Sequence, residues 1–67
     1  MTYNKVLKRG IRYDGVEIIA YEIYEKYSTT PEYTIDVFKD DNWIFSKACA
    51  RTTWKRAFND LFVKGIK

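Results

Sequence analysis

The sequence predicts a small α+β domain, an antiparallel β-meander of three to four strands with one C-terminal α-helix packed on one face. Two observations carry this prediction. Asp14-Gly15 separates two runs rich in Val, Ile and Tyr, a pattern typical of a β-hairpin. Apolar residues from Trp54 to Phe62 then recur with the 3.6-residue period of a helix. With 67 residues and no repeat or linker, positions 1–67 are expected to form one domain.

The first two strands are expected near residues 3–13 and 16–27, joined by a two-residue Asp-Gly turn. The spacing of Val16, Ile19 and Ile23 also fits one face of a helix. We favour the strand because β-branched and aromatic residues dominate this run. The single proline lies in YSTTPEY, which marks a loop between the two halves of the chain.

A second hairpin is expected from strands near 33–39 and 43–48 around the acidic turn at Asp40. We interpret this turn as a loop rather than as a pair of metal ligands, because Asp and Asn favour turns. A two-residue loop at positions 41 and 42 predicts favourable cross-strand pairs, namely Phe38 with Phe45 and Asp36 with Lys47.

The helix is predicted over Thr53 to Lys64, with Thr52 or Thr53 as its N-cap and Gly65 after its end. Its apolar face comprises Trp54, Ala57, Phe58, Leu61 and Phe62, of which Phe58 and Leu61 are expected to be buried against the sheet.

The composition argues against an enzyme. The chain has no histidine, one cysteine and three glycines, so it lacks the usual zinc ligand sets, a Cys-His pair and a glycine-rich phosphate loop. We expect no catalytic residue, no metal, no cofactor and no small-molecule substrate, and we interpret Cys49 as a small buried residue. No apolar run approaches membrane-spanning length and no secretory signal is evident, so we expect a cytoplasmic protein that binds no membrane.

Charge is distributed unevenly along the chain. Basic residues dominate positions 1–13 and 46–67, whereas positions 14–45 are strongly acidic. Either the ends pair with the acidic middle across a compact fold, or both basic segments meet on one face and attract an anionic partner.

Six cations are candidates for phosphate contacts with a nucleic acid. Arg51, Lys55 and Arg56 lie around the first helical turn, where the helix dipole favours acids and anions. The alternative is that Asp60 and strand carboxylates neutralise them. The other three candidates lie on the first strand and are Lys8, Arg9 and Arg12. A bulge at Gly10 could aim them to one side. Alternatively, they could protect a sheet edge from unwanted pairing.

Twelve aromatic residues are more than one helix can cover. Some of Tyr21, Tyr24, Tyr27, Phe38, Trp43 and Phe45 should therefore lie on the uncovered sheet face. An aromatic sheet face is typical of a base-stacking platform, a dimer interface or a protein-binding surface.

Two function classes follow. The leading hypothesis is a non-enzymatic module that binds nucleic acid through the six cations, with Trp43 adding stacking. The alternative is a protein-interaction or homodimerising module, such as a phage or mobile-element accessory or inhibitor protein, with Phe38, Trp43 and Phe45 at the partner interface.

A strand meander followed by one helix, with basic residues such as those of KVLKRGIRY on its strands, resembles one known class. The small arm-type DNA-binding domains at the N-termini of tyrosine recombinases share this topology and present their sheet to a DNA groove. The resemblance implies DNA binding. The acidic middle strands depart from that pattern.

Overall fold

The computed structural model describes residues 2–26 and 29–64. They form β1 (Thr2–Ile11), β2 (Val16–Glu25), β3 (Glu32–Lys39), β4 (Asn42–Cys49) and α1 (Trp54–Lys64). The strands make one antiparallel sheet in the order β1-β2-β3-β4, so every strand pairs with its neighbour in sequence. The α+β class and the meander are thereby confirmed, with four strands. Gly65 and Tyr27 lie outside the described residues.

The loop of the first hairpin is one residue longer than predicted. The Gly15 amide donates to the Arg12 carbonyl (3.0 Å), and the Arg12 amide donates to the Val16 carbonyl (2.8 Å). Gly15 has φ of +86°, which glycine adopts without strain. The connection is therefore a three-residue loop over positions 13–15, with glycine at the left-handed position.

The second hairpin differs from the predicted register. Asp40 and Asp41 both have positive φ, 53° and 66°, and Lys39 pairs with Asn42. Two left-handed central residues are what a two-residue hairpin turn requires, and Asp tolerates this conformation. The loop is thus at 40–41, and an irregularity in pairing follows between Val37 and Phe38. As a result, Phe38 faces Trp43, Val37 faces Phe45 and Asp36 faces Ser46.

The core joins one side of the two central strands to α1. We call this the helix side of the sheet and the other the open side. Phe58 is 2% exposed, Ala57 is buried, and Trp54 and Leu61 are partly buried against the same cluster. Phe58 is thus buried as predicted, and Leu61 is only half-buried. The sheet residues in the cluster are Val16, Ile18, Ala20, Ile35 and Val37.

Gly10 makes room for the rings of α1 and does not form the predicted bulge. A Cβ atom on Gly10 would lie 2.8 Å from Cε1 of Phe62 and 3.3 Å from Cζ of Phe58, so glycine allows these rings to approach β1. The irregularity of β1 lies earlier, between Val6 and Lys8, and the residue between them, Leu7, packs against the core.

The start of α1 is fixed by a turn at Ala50. The Ala50 carbonyl accepts from the amides of Thr53 and Trp54, both at 3.1 Å, and the Thr53 carbonyl accepts from the Ala57 amide at 2.9 Å. The Thr53 hydroxyl oxygen accepts from the Ala50 amide at 3.0 Å. Thr53 directly precedes α1, but its hydroxyl bonds to the backbone of Ala50 and to no amide of α1, so the predicted N-cap hydrogen bond is not formed in the described residues.

Candidate nucleic-acid interface

The two sides of the sheet differ in charge. Residues paired across the strands share a side, so the register assigns each charged residue to one side. Lys5 faces Glu22, Lys8 faces Ala20 and Lys47 faces Ile35, and these positions belong to the helix side. The same rule assigns one cation and four acids to the open side: Arg9, Glu17, Glu25, Glu32 and Asp36.

The helix adds cations to the side that is already basic. Arg51, Lys55 and Arg56 are exposed, and the first turn of α1 contains no acid. Across residues 2–26 and 29–64, none of these three cations forms an ion pair, so the alternative in which Asp60 neutralises Arg56 is not observed there. The Lys55 ammonium instead lies 5.7 Å from the centroid of the Trp54 ring. The helix side therefore carries cations without carboxylate partners next to a positive helix end.

The three basic residues of β1 do not act together. Lys8 is on the helix side, and its ammonium lies 4.9 Å from the centroid of the Phe58 ring, a cation–π contact that holds β1 to α1. Arg9 faces Ile19 on the open side, and its guanidinium lies 2.5 Å from the Glu17 carboxylate. The prediction that a bulge at Gly10 aims these side chains to one side is wrong, because successive strand residues point to opposite faces.

Arg12 has a different role from the predicted one. Its side chain is only 9% exposed, and its guanidinium lies 3.0 Å from the Asp14 carboxylate and donates to the Leu61 carbonyl at 3.4 Å. Its buried Nε has no hydrogen-bond partner in the described part of the chain. A cation near the last turn of α1 complements the negative helix end. Arg12 is therefore a link between the first hairpin and the helix.

The open side is apolar and acidic. Phe38 and Trp43 face each other there, and Trp43 is 60% exposed. The Trp43 indole donates to the Ser46 hydroxyl at 2.9 Å, which in turn donates to the Asp36 carboxylate at 2.5 Å. Phe45, in contrast, faces Val37 on the helix side and packs against the core, so it does not belong to the open aromatic face.

A carboxylate on the helix side is held by two tyrosines. The hydroxyls of Tyr24 and Tyr33 donate to the two oxygens of Glu22, the second at 2.6 Å. These hydrogen bonds, with a smaller contribution from Lys5, lower the pKa of Glu22 below its usual value. Tyr24 thus belongs to the helix side, whereas Tyr21 belongs to the open side.

The thiol of Cys49 lies at the edge of the core. Burial raises the pKa of the Cys49 thiol, so this residue is protonated at neutral pH and is a poor nucleophile. It is half-buried and packs against the core. In residues 2–26 and 29–64, no group of His, Cys, Asp and Glu side chains could hold a metal ion.

Sequence reasoning missed Lys5 and Lys47, which join the basic side. The alternation of residues along each strand could have assigned these two lysines to the helix side, but only with the correct strand register.

The comparisons with known proteins found no match to this chain among family models, curated proteins or solved structures. The topological resemblance to arm-type domains thus gains no support from them. In the described part of the chain, no helix is both long and apolar enough to cross a bilayer.

Proposed function

We propose that this chain is a small non-enzymatic module that contacts nucleic acid through phosphates with the helix side of its sheet. The observation that supports it most is the separation of charge: unpaired cations gather around α1, and most of the strand carboxylates are on the opposite side. A nucleic acid that approached the helix side would meet an attractive potential with little opposing charge.

The residues proposed to contact phosphates differ from the six cations predicted from the sequence. Arg51, Lys55 and Arg56 remain, because they are exposed and without ion pairs in the described residues. Lys8 remains and Lys47 joins it, since both are exposed on the helix side, whereas Lys5 lies opposite the Glu22 carboxylate and is left out. Arg9 and Arg12 leave the set, because their guanidinium groups are paired with carboxylates.

The test replaces Arg51, Lys55 and Arg56 together with Gln. Binding to a duplex should weaken, and the slope of log affinity against log salt should flatten by about 0.9 for each phosphate that the variant no longer neutralises. The fold should remain, because removing cations from the first helical turn relieves an unfavourable dipole interaction of about 0.3 to 1 kcal/mol each.

Arg9→Gln on the open side is the matched control, and it should leave the salt slope unchanged. The proposal fails if the parent protein binds no nucleic acid at low salt. It fails equally if the triple variant keeps the parent's salt slope.

A second candidate function is protein interaction through the open side. Val6, Ile11 and Trp43 are more than half exposed there, and exposed apolar groups that form a patch on one face mark interaction sites. Sedimentation at micromolar and near-millimolar concentrations tests self-association, and Trp43→Ser should dissociate any dimer. A strict monomer at both concentrations would restrict this function to a different protein partner.

A further inference from the structure

We infer that the outward face of α1 enters the major groove of duplex DNA, while Lys8 and Lys47 contact phosphates on either side of it. This inference rests on the proposed function and names its ligand and binding mode. It depends on three observations: the residues on the outward helix face, the placement of the flanking lysines, and the position of the exposed aromatic rings.

The outward face of α1 lies opposite the buried pair Ala57 and Phe58. It presents Arg56, Asn59 and Val63, which follow one another at intervals of three and four residues and are all exposed. Val63 is 79% exposed, and the Asn59 side chain forms no hydrogen bond to the described residues. These side-chain types suit base edges in a major groove: Arg pairs with guanine, Asn with adenine, and an apolar group with the thymine methyl.

The flanking lysines match the width of the groove. Lys8 is on β1 and Lys47 on β4, the two edge strands, and both are on the helix side. Three strand spacings separate them, about 14 Å. The major groove of B-DNA is about 12 Å wide between its phosphate rows. α1 contacts the central strands β2 and β3, and its Phe58 ring lies against the Lys8 ammonium, so Lys8 borders the helix and Lys47 stands on the opposite edge strand.

A single strand fits this side poorly. Binding of single strands relies on exposed rings on which bases stack. Among the described aromatic residues, Tyr13 in the first hairpin loop is 99% exposed and Trp43 on the open side is 60% exposed. On the helix side, Phe58 is buried, Lys55 lies against Trp54, and Phe62 is 37% exposed. The basic side therefore offers one partly exposed ring rather than a row of rings for successive bases, and this favours a duplex.

The first experiment compares three labelled ligands of one sequence by fluorescence anisotropy at a single salt concentration. Duplex DNA should bind at least about tenfold more tightly than single-stranded DNA or duplex RNA, whose A-form major groove is too deep and narrow for a helix. Equal affinities, or a preference for the single strand or the RNA, would overturn the groove inference and leave the proposed function standing. Failure to bind all three would refute the proposed function itself.

Dimethyl sulfate footprinting on the same duplex then locates the helix. Protection of guanine N7, a major-groove atom, is expected, and its absence in a saturated complex would overturn the inference. Lys8→Gln and Lys47→Gln should each flatten the salt slope by about 0.9 with the circular dichroism signal kept, which is checked because Lys8 also contacts Phe58, and unchanged slopes would contradict the flanking contacts.

The outward face provides its own pair of variants. The ligand is a duplex that the parent protein selects from a random pool. Asn59→Ala should lower the affinity for this duplex by about tenfold and leave the circular dichroism signal unchanged. A surface residue with a merely structural role would not change affinity in this way. Asp60→Asn removes a carboxylate beside the same face and should raise affinity. If Asn59→Ala changes nothing, or if Asp60→Asn weakens binding, α1 does not enter the groove.

Discussion

Truncation of Phe58 to alanine tests how α1 is held on the sheet. The ring is 2% exposed, it stacks on Phe62 with centroids 6.0 Å apart, and it accepts the Lys8 ammonium at 4.9 Å. Phe→Ala changes in a core cost about 3 to 5 kcal/mol. The ring pair and the cation–π contact contribute about 0.5 to 1 kcal/mol each, which favours the upper part of that range.

That loss is comparable with the whole stability of the domain. At roughly 0.05 to 0.15 kcal/mol per residue, 67 residues give a free energy of unfolding of about 3 to 10 kcal/mol. Phe58→Ala should therefore be largely unfolded at 37 °C, and Phe58→Leu, which keeps most of the volume, should fold and lose about 1 to 2 kcal/mol.

Urea denaturation followed by tryptophan fluorescence and by circular dichroism measures both variants. Phe62→Ala is the control, because this side chain is already 37% exposed and its truncation should cost less than half as much. A loss below about 1 kcal/mol in Phe58→Ala would show that α1 does not pack through this face.

Two further predictions concern ion pairing and pH. Arg12→Met should lower the free energy of unfolding in urea by about 1 to 3 kcal/mol, since it removes a charged hydrogen-bond donor to the Leu61 carbonyl. It should leave the salt slope of DNA binding unchanged, and a flatter slope would show that Arg12 contacts DNA. The pKa of Glu22 is lowered in the folded state, so its contribution to stability is present above the usual value of 4.5 and is lost as the pH falls through the lowered pKa. Glu22→Gln should therefore lower the urea midpoint at about pH 6. It should also lose part of the parent's decline as the pH falls below the usual value of 4.5, whereas parallel curves would exclude this role.

Local signals predicted the elements of the fold, and long-range packing decided their details. Asp14-Gly15 and the helical spacing after Trp54 indicated the first hairpin and the helix because each depends on adjacent residues. The second register was missed because it depends on which two residues adopt positive φ. A loop at 41–42 and a loop at 40–41 are nearly equal in local chemistry, and only the backbone of Asp40 distinguishes them.

The site was harder to predict for the same reason. The side on which a strand cation lies depends on every irregularity before it, and the one after Val6 places both Leu7 and Lys8 toward the helix. The burial of Arg12 depends on the Leu61 carbonyl, 49 positions away. The helix cations were identified correctly as exposed, because their position relative to the apolar stripe of α1 is a local property.

The order of the elements affects how this chain folds as it emerges from the ribosome. Each strand can pair with the one made just before it, so the meander grows by local steps as synthesis proceeds. The cluster around Ile18 and Val37 nevertheless lacks Phe58 until α1 has been made. During that interval the apolar side of a nascent sheet faces solvent, and chaperone capture and aggregation compete there with the arrival of the helix.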